Sequence, residues 1–240
     1  MRKLIFCFFV LLLAIPACSD KPKTEDQRAL YAMGAGMAKN LSRLNLSAEE
    51  YEFIKQGITD AAGGKKLEAE PETQIQNINR LVQTRIQAAT QKQKELAKPY
   101  LEKAAKEKNA QKMASGLIYQ QIKAGNGVQP KGSDIVKINF TGTFIDGKEF
   151  DSSFKHSQPA EFLLGKIFPC LTEGIGMMKV GGKAKLVCPS DIVYGDKGSP
   201  PIIPGGATLV FEVELLGVKD SSAAPPASKK APSPKAESKK

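Results

Sequence analysis

Ile202-Ile203-Pro204-Gly205-Gly206-Ala207-Thr208-Leu209-Val210-Phe211-Glu212-Val213-Glu214-Leu215 is the stretch that decides how the C-terminal half is read. From Ala207 to Val218 its β-branched and aromatic residues predict a strand. Lys183 to Cys188, Ile135 to Phe144, Lys148 to Asp151 and Leu117 to Ile122 have the same texture. Asp146-Gly147 is a tight-turn signal between two of them, and Asn126-Gly127 and Pro130-Lys131-Gly132 punctuate an earlier connection. Leu171 to Met177 reads as one short helix, stopping near Lys179 to Gly182. The expected fold class is α+β: an antiparallel sheet that buries one face against a single helix.

The N-terminal half has helical periodicity instead. Leu30, Met33, Met37, Leu41 and Leu44 recur at intervals of three and four, the spacing of one helix face. Ser47 with Glu50 is a capping-box signature, followed by Phe53, Ile54, Ile58 and Ala61 up to Gly63-Gly64. Pro71 suits the first position of a third helix, whose stripe is Ile75, Ile78, Val82, Ile86 and Ala89. Residues 91–115 are rich in Lys, Glu, Ala and Gln and read as a solvated helix or spacer. Pro99 is expected to kink or interrupt it, because proline lacks the amide donor and clashes with the preceding turn. Helix is expected to fray near Asn109.

Both ends are distinct. Arg2 and Lys3 precede an apolar run from Leu4 to Ile15 and then Pro16-Ala17-Cys18, the layout of an export leader. Cys18 resembles the acylated cysteine of bacterial lipoproteins, with cleavage after residue 17 and residues 18–25 as a tether; a plain secretory leader and a retained anchor are the other readings. Ser19 fits outer-membrane sorting in that class. No further run of about 18 apolar residues follows. Residues 220–240, dominated by Ala, Ser, Lys and Pro, have too little apolar surface to offset the entropy of ordering and read as a disordered basic tail. The chain carries a net charge of +10, which becomes +8 once residues 1–17 with Arg2 and Lys3 are removed and favours acidic surfaces such as anionic lipid or envelope polymer. No aromatic-basic repeat or finger spacing argues for nucleic acid.

Of four cysteines, Cys7 lies in the leader and Cys18 at the lipidation position, leaving Cys170 and Cys188. In an oxidising compartment this pair is open to a disulfide; two buried thiols are the alternative. There is no CxxC motif, and with His156 as the one imidazole, neither a metal nor a cofactor is expected.

Phe140-Thr141-Gly142, Asp146-Gly147-Lys148-Glu149-Phe150-Asp151-Ser152-Ser153, Val193-Tyr194-Gly195 and the opening stretch closely resemble, in order and spacing, the FK506-binding type of peptidyl-prolyl isomerase. The resemblance covers about residues 116–218. It implies a twisted antiparallel sheet wrapped around a short helix, with an apolar cleft between them that turns over X-Pro peptides. Carried over by position, Phe140, Phe150, Asp151, Phe168, Tyr194 and Phe211 form the catalytic set, the Phe168 amide facing a substrate carbonyl and Tyr194 supplying a rim hydroxyl. Ile167, Leu171, Ile202 and Ile203 match substrate-contacting positions, Leu171 at the pocket floor and Ile202-Ile203 as a flap pair.

Four departures from the family pattern predict a wider cleft with weaker turnover. Phe140 stands for a tyrosine, Ala160 for a pocket phenylalanine, Cys170 for a glycine and Leu171 for a tryptophan. The N-terminal helices resemble the dimerisation module of macrophage infectivity potentiator-like isomerases, implying a homodimer through residues 26–90. The implied organisation is leader 1–17, lipidated tether 18–25, all-helical dimerisation module 26–90, connecting helix 91–115, isomerase domain 116–219 and tail 220–240. The leading functional expectation is isomerisation of X-Pro bonds in unfolded or folding envelope proteins. The rivals are a weakly catalytic chaperone or peptide-binding module and an envelope tether acting through the tail.

Overall fold

The structure is a computed structural model that describes residues 21–220. The leader, Cys18 and the tail from Ser221 onward lie outside the described residues. The chain divides into a unit ending at Lys39 and a unit beginning at Asn40.

Helix α1 spans Glu25–Leu41. Its start is closed reciprocally: the Gln27 amide donates to Thr24 Oγ1 at 3.2 Å while the Thr24 amide donates to Gln27 Oε1 at 3.1 Å. It buries none of its own residues, and Leu30, Tyr31, Met33 and Met37 are exposed.

In the second unit, α2 spans Ala48–Ala62 and begins on the capping box read from the sequence. Glu50 N donates to Ser47 Oγ at 3.2 Å and Ser47 N to Glu50 Oε2 at 2.8 Å. The same Glu50 carboxylate accepts from the Arg85 guanidinium of α3, which spans Pro71–Ala104. Pro71 occupies the first turn, where its missing N–H costs no intrahelical bond.

Pro99 does not interrupt α3, which runs on as helix to Ala104. An interior proline costs roughly 3 kcal/mol. Here it lies near the helix end, and the residues around it are docked. Ala97 and Ala104 are buried, and Ala104 clusters with Ile118, Val187 and Val210, with Tyr100 and Leu101 packed alongside. Residues 91–104 are thus the expected helix with most of its surface solvated, but with one docked face instead of a free spacer. Their apolar positions are sparse because small residues let the helix lie close against the domain.

After a turn with Asn109 in the left-handed region (φ 62°), the chain enters β1, Ala110–Lys112. This strand was not expected; it pairs antiparallel with β2, Ile118–Lys123, so the sheet begins before residue 116. The remaining strands are β3 (Ile135–Phe144), β4 (Glu149–Ser152), β5 (Ala160–Leu163), β6 (Lys183–Cys188) and β7 (Leu209–Lys219). All pairings are antiparallel in the order β1-β2-β6-β7-β3-β4, and β5 also pairs β3. Long β3 thus carries β7 on one edge and divides the other, Ile135–Ile138 facing β5 and Thr141–Thr143 facing β4. Register shifts within β3–β7 and β3–β4 increase local twist.

Helix α4, Pro169–Gly176, lies against the concave face. The core joins Cys170, Leu171 and Ile175 of α4 to Val136, Ile138, Leu186, Leu209, Phe211, Val213 and Leu215 from the sheet. Cys170 and Cys188 form a disulfide with a Cα–Cα separation of 5.9 Å, linking α4 to the end of β6. Among the described residues no helix is long and apolar enough to cross a membrane.

Candidate active site

Alternation along the strands sends Ile138 and Phe140 of β3, Phe150 of β4, Phe162 of β5 and Phe211 of β7 to one concave wall. With Lys166, Ile167, Phe168, Pro169, Leu171, Tyr194 and Asp151 they line a cleft of about 290 Å³. Phe150 is the centre of a ring cluster. Its centroid is 5.3 Å from Phe144 and 5.7 Å from Phe211, the latter edge-on at 89°, an arrangement favoured by the aromatic quadrupole. Gly142 permits this packing, since a Cβ there would stand 2.6 Å from Phe150 Cζ.

Local chemistry explains each placement. The buried Ser153 hydroxyl accepts from Phe140 N at 3.0 Å and donates to Phe140 O at 3.3 Å, fastening the turn after β4 to β3. Pro169 opens α4, and the steric restriction on a pre-proline residue keeps Phe168 extended at φ −59°, ψ 145°. Thr172 Oγ1 donates to Leu164 O at 2.7 Å, tying the first turn of α4 to the segment before it. Phe168 consequently projects at the mouth, its ring 4.5 Å from that of Tyr194.

The polar groups gather at one side of this apolar wall. Asp151 Oδ1 accepts from Ser152 N at 2.8 Å and lies 3.3 Å from His156 Nε2. Burial, with a smaller contribution from the negative Asp151, pushes the Tyr194 phenol above its ordinary value. Its hydroxyl is therefore a protonated donor throughout the neutral range.

The structure brings together Phe140, Phe150, Asp151, Ile167, Phe168, Leu171, Tyr194 and Phe211. Ile202 and Ile203 do not line the cleft. Ile202 is 59% exposed and Ile203 is buried in the core and faces a second groove, because the Ser199–Ile203 bridge turns the loop back on itself. Ile138, Phe162, Lys166 and Pro169 were missed. For Phe162 the signal was the alternation in Ala160-Glu161-Phe162-Leu163: residues 160 and 162 share the half-buried face of β5, and the aromatic absent at Ala160 is supplied two residues on. This counters the expectation that Ala160 leaves the cleft open.

A curled antiparallel sheet closed by one short helix, with an aromatic cleft and a polar rim, defines a proline-peptide isomerase domain. Residues 126–216 match the FKBP-type peptidyl-prolyl cis-trans isomerase family, and residues 26–120 match the domain amino-terminal to FKBP-type peptidyl-prolyl isomerase. The chain is 40% identical over 210 residues to the FKBP-type peptidyl-prolyl cis-trans isomerase FkpA of Escherichia coli K12, covering 82% of this chain and 77% of that one. It is 34% identical over 199 residues to the FKBP-type 22 kDa peptidyl-prolyl cis-trans isomerase of the same organism, covering 81% and 96%. The crystal structure of FkpA from Escherichia coli superposes with a TM-score of 0.61 at 38% identity, covering 84% of this chain and all of that one. The chain belongs to the FKBP-type peptidyl-prolyl cis-trans isomerase family, and it is a peptidyl-prolyl cis-trans isomerase.

Proposed function

We propose that the cleft isomerises X-Pro bonds in extended segments of folding proteins of the bacterial cell envelope. The observation that carries this reading is the convergence of five Phe side chains and Tyr194 on one pocket beside a single carboxylate, Asp151. Conjugation gives the peptide bond a barrier of roughly 18–20 kcal/mol, and uncatalysed prolyl isomerisation takes tens to hundreds of seconds. A twisted amide has less charge separation than a planar one and loses less on entering an apolar site. Phe140, Phe150, Phe162 and Phe211 hold the proline ring while withholding water from the amide. The Phe168 amide binds a flanking carbonyl and the Tyr194 hydroxyl donates at the rim, so that binding favours the twisted state over either planar isomer. Asp151 orients the rim and acts through its field rather than by proton transfer. Leu171 forms a smooth aliphatic floor. Activity of the soluble chain from residue 19 on X-Pro peptides should fall by about tenfold, the worth of a lost oriented donor, in Tyr194→Phe combined with Asp151→Asn. Unchanged turnover places the chemistry elsewhere; peptide binding without acceleration favours a chaperone.

The working unit in this reading is a homodimer through residues 26–90. Exposed Leu30, Met33 and Met37 of α1, Phe53 and Ile58 of α2, and Ile75, Ile78 and Leu81 of α3 give each helix an apolar surface that a second copy would cover. Sedimentation of the soluble chain tests it: a concentration-independent monomer defeats the dimer. Acylation at Cys18 would hold the dimer on the outer membrane, and the mass of the mature N-terminus decides it. The basic tail is proposed to touch anionic envelope polymer, and truncation after Lys219 should remove that binding while sparing isomerisation.

A further inference from the structure

The long helix α3 meets the isomerase domain at the loop that carries Tyr194. Lys94 Nζ lies 2.6 Å from Asp196 Oδ1 and 3.5 Å from Asp191 Oδ1. Asp191 precedes Tyr194 by three residues and Asp196 follows it by two, so one ammonium on the helix grips both flanks of the rim turn. One helical turn earlier, buried Thr90 donates from Oγ1 to the Asp196 carbonyl at 3.3 Å. Thr90 also sets the approach of the loop's return. A Cβ on Gly205 would stand 2.7 Å from Thr90 Oγ1, and one on Gly206 2.5 Å from Thr90 O. Gly206 N donates to Gly195 O at 3.0 Å and Gly198 N to Tyr194 O at 3.2 Å. The loop closes on itself around Tyr194, and the residues that flank it on either side are tied to one face of α3. A loop residue depends on its scaffold for position, and here the scaffold is a helix from outside the sheet.

We infer that Lys94 is a positioning residue for isomerisation: by holding Asp191 and Asp196 together it fixes the turn that presents Tyr194 to the cleft. This rests on the cleft reading given above. It also makes α3 a mechanical part of the site, because any displacement of the helix past residues 90–94 is transmitted to the rim.

The test compares wild type, Lys94→Met and Lys94→Arg in the soluble chain from residue 19. Turnover of an X-Pro peptide is measured at low salt and at about 0.5 M, where surface charges are screened, together with Tm and amide exchange over residues 190–206. Lys94→Met should lower kcat/KM about three- to tenfold, the scale of a modest misplacement of a site group, and speed exchange in that loop. Its Tm should stay within about 2 °C of wild type. Lys94→Arg should restore both, and the salt sensitivity of wild-type turnover should vanish in the Met variant. Wild-type turnover and exchange in Lys94→Met overturn the inference. So does a loss that tracks a fall of several degrees in Tm and is not rescued by Arg. If wild type itself has no turnover, the cleft reading fails, while loop exchange still decides whether Lys94 holds the turn.

Discussion

The rings of Phe168 and Tyr194 lie 4.5 Å apart at 56°, joining the residue before α4 to the turn after β6 across the mouth of the cleft. One partner of this contact is held by a pre-proline backbone and the other by a loop braced from α3. The rim is therefore where helix, sheet and loop share one constraint.

If the Tyr194 hydroxyl is the rim donor proposed above, it should set the alkaline limit of the enzyme. Burial first, and the Asp151 charge second, raise its pKa, so its hydroxyl should remain a donor through about pH 10 and activity should fall only above that. Asp151→Asn removes the second contribution and should shift the fall to lower pH. A phenol raised above its unfolded value adds stability that is complete below about pH 10 and disappears as pH rises through the folded value. The pH profile of kcat/KM and alkaline unfolding of wild type against Tyr194→Phe check both statements.

Gly142→Ala should damage function more than folding. The new Cβ meets the Phe150 ring at 2.6 Å, and the ring must move toward the cleft or against Phe211. A fall in kcat/KM of about tenfold is expected from so direct a displacement, with overpacking costing about 1–3 kcal/mol. Peptide kinetics and urea unfolding of the same preparation separate the two effects.

Reduction of Cys170–Cys188 should destabilise the domain. The bond closes a loop of 18 residues in sequence separation, for which chain entropy gives about 3 kcal/mol. Urea unfolding with and without reductant should show that difference in wild type and none in Cys170→Ala/Cys188→Ala. Equal stability in all four measurements would contradict it.

Ala104→Leu tests whether α3 is docked. Ala104 is 3% exposed against Ile118, Val187 and Val210, so the larger side chain should cost about 1–3 kcal/mol. A surface helix would absorb it without change in the unfolding midpoint.

Much of this molecule was readable from local signals. The Ser47–Glu50 box, Pro71 at a helix start and the Asp146-Gly147 turn are decided by neighbours a few residues away, and the structure has all three. Five strands were recognisable: four because β-branched and aromatic residues persist over their lengths, and four-residue β4 because it resumes directly from the Asp146-Gly147 turn. Strands β1 and β5, of three and four residues, have no such turn to announce them, and the brief alternation of β5 becomes a strand only on the open edge of β3, as β1 does on that of β2.

The aromatic identities and order in the cleft belong to the sequence alone, since side-chain chemistry does not depend on folding. Tertiary structure decided which of those residues meet. The register of β5 on β3 put Phe162 into the wall, and the turn at Ser199–Ile203 took Ile202 and Ile203 out of it. The polar surface of residues 91–104 reads as a spacer until the sheet is present to receive Ala97 and Ala104. For Phe162 and for residues 91–104 the deciding free energy is a contact between segments distant in the chain, and local periodicity contains no information about which surface will arrive; the Ser199–Ile203 bridge is short-range, but it is a loop closure that neither helical nor strand periodicity encodes.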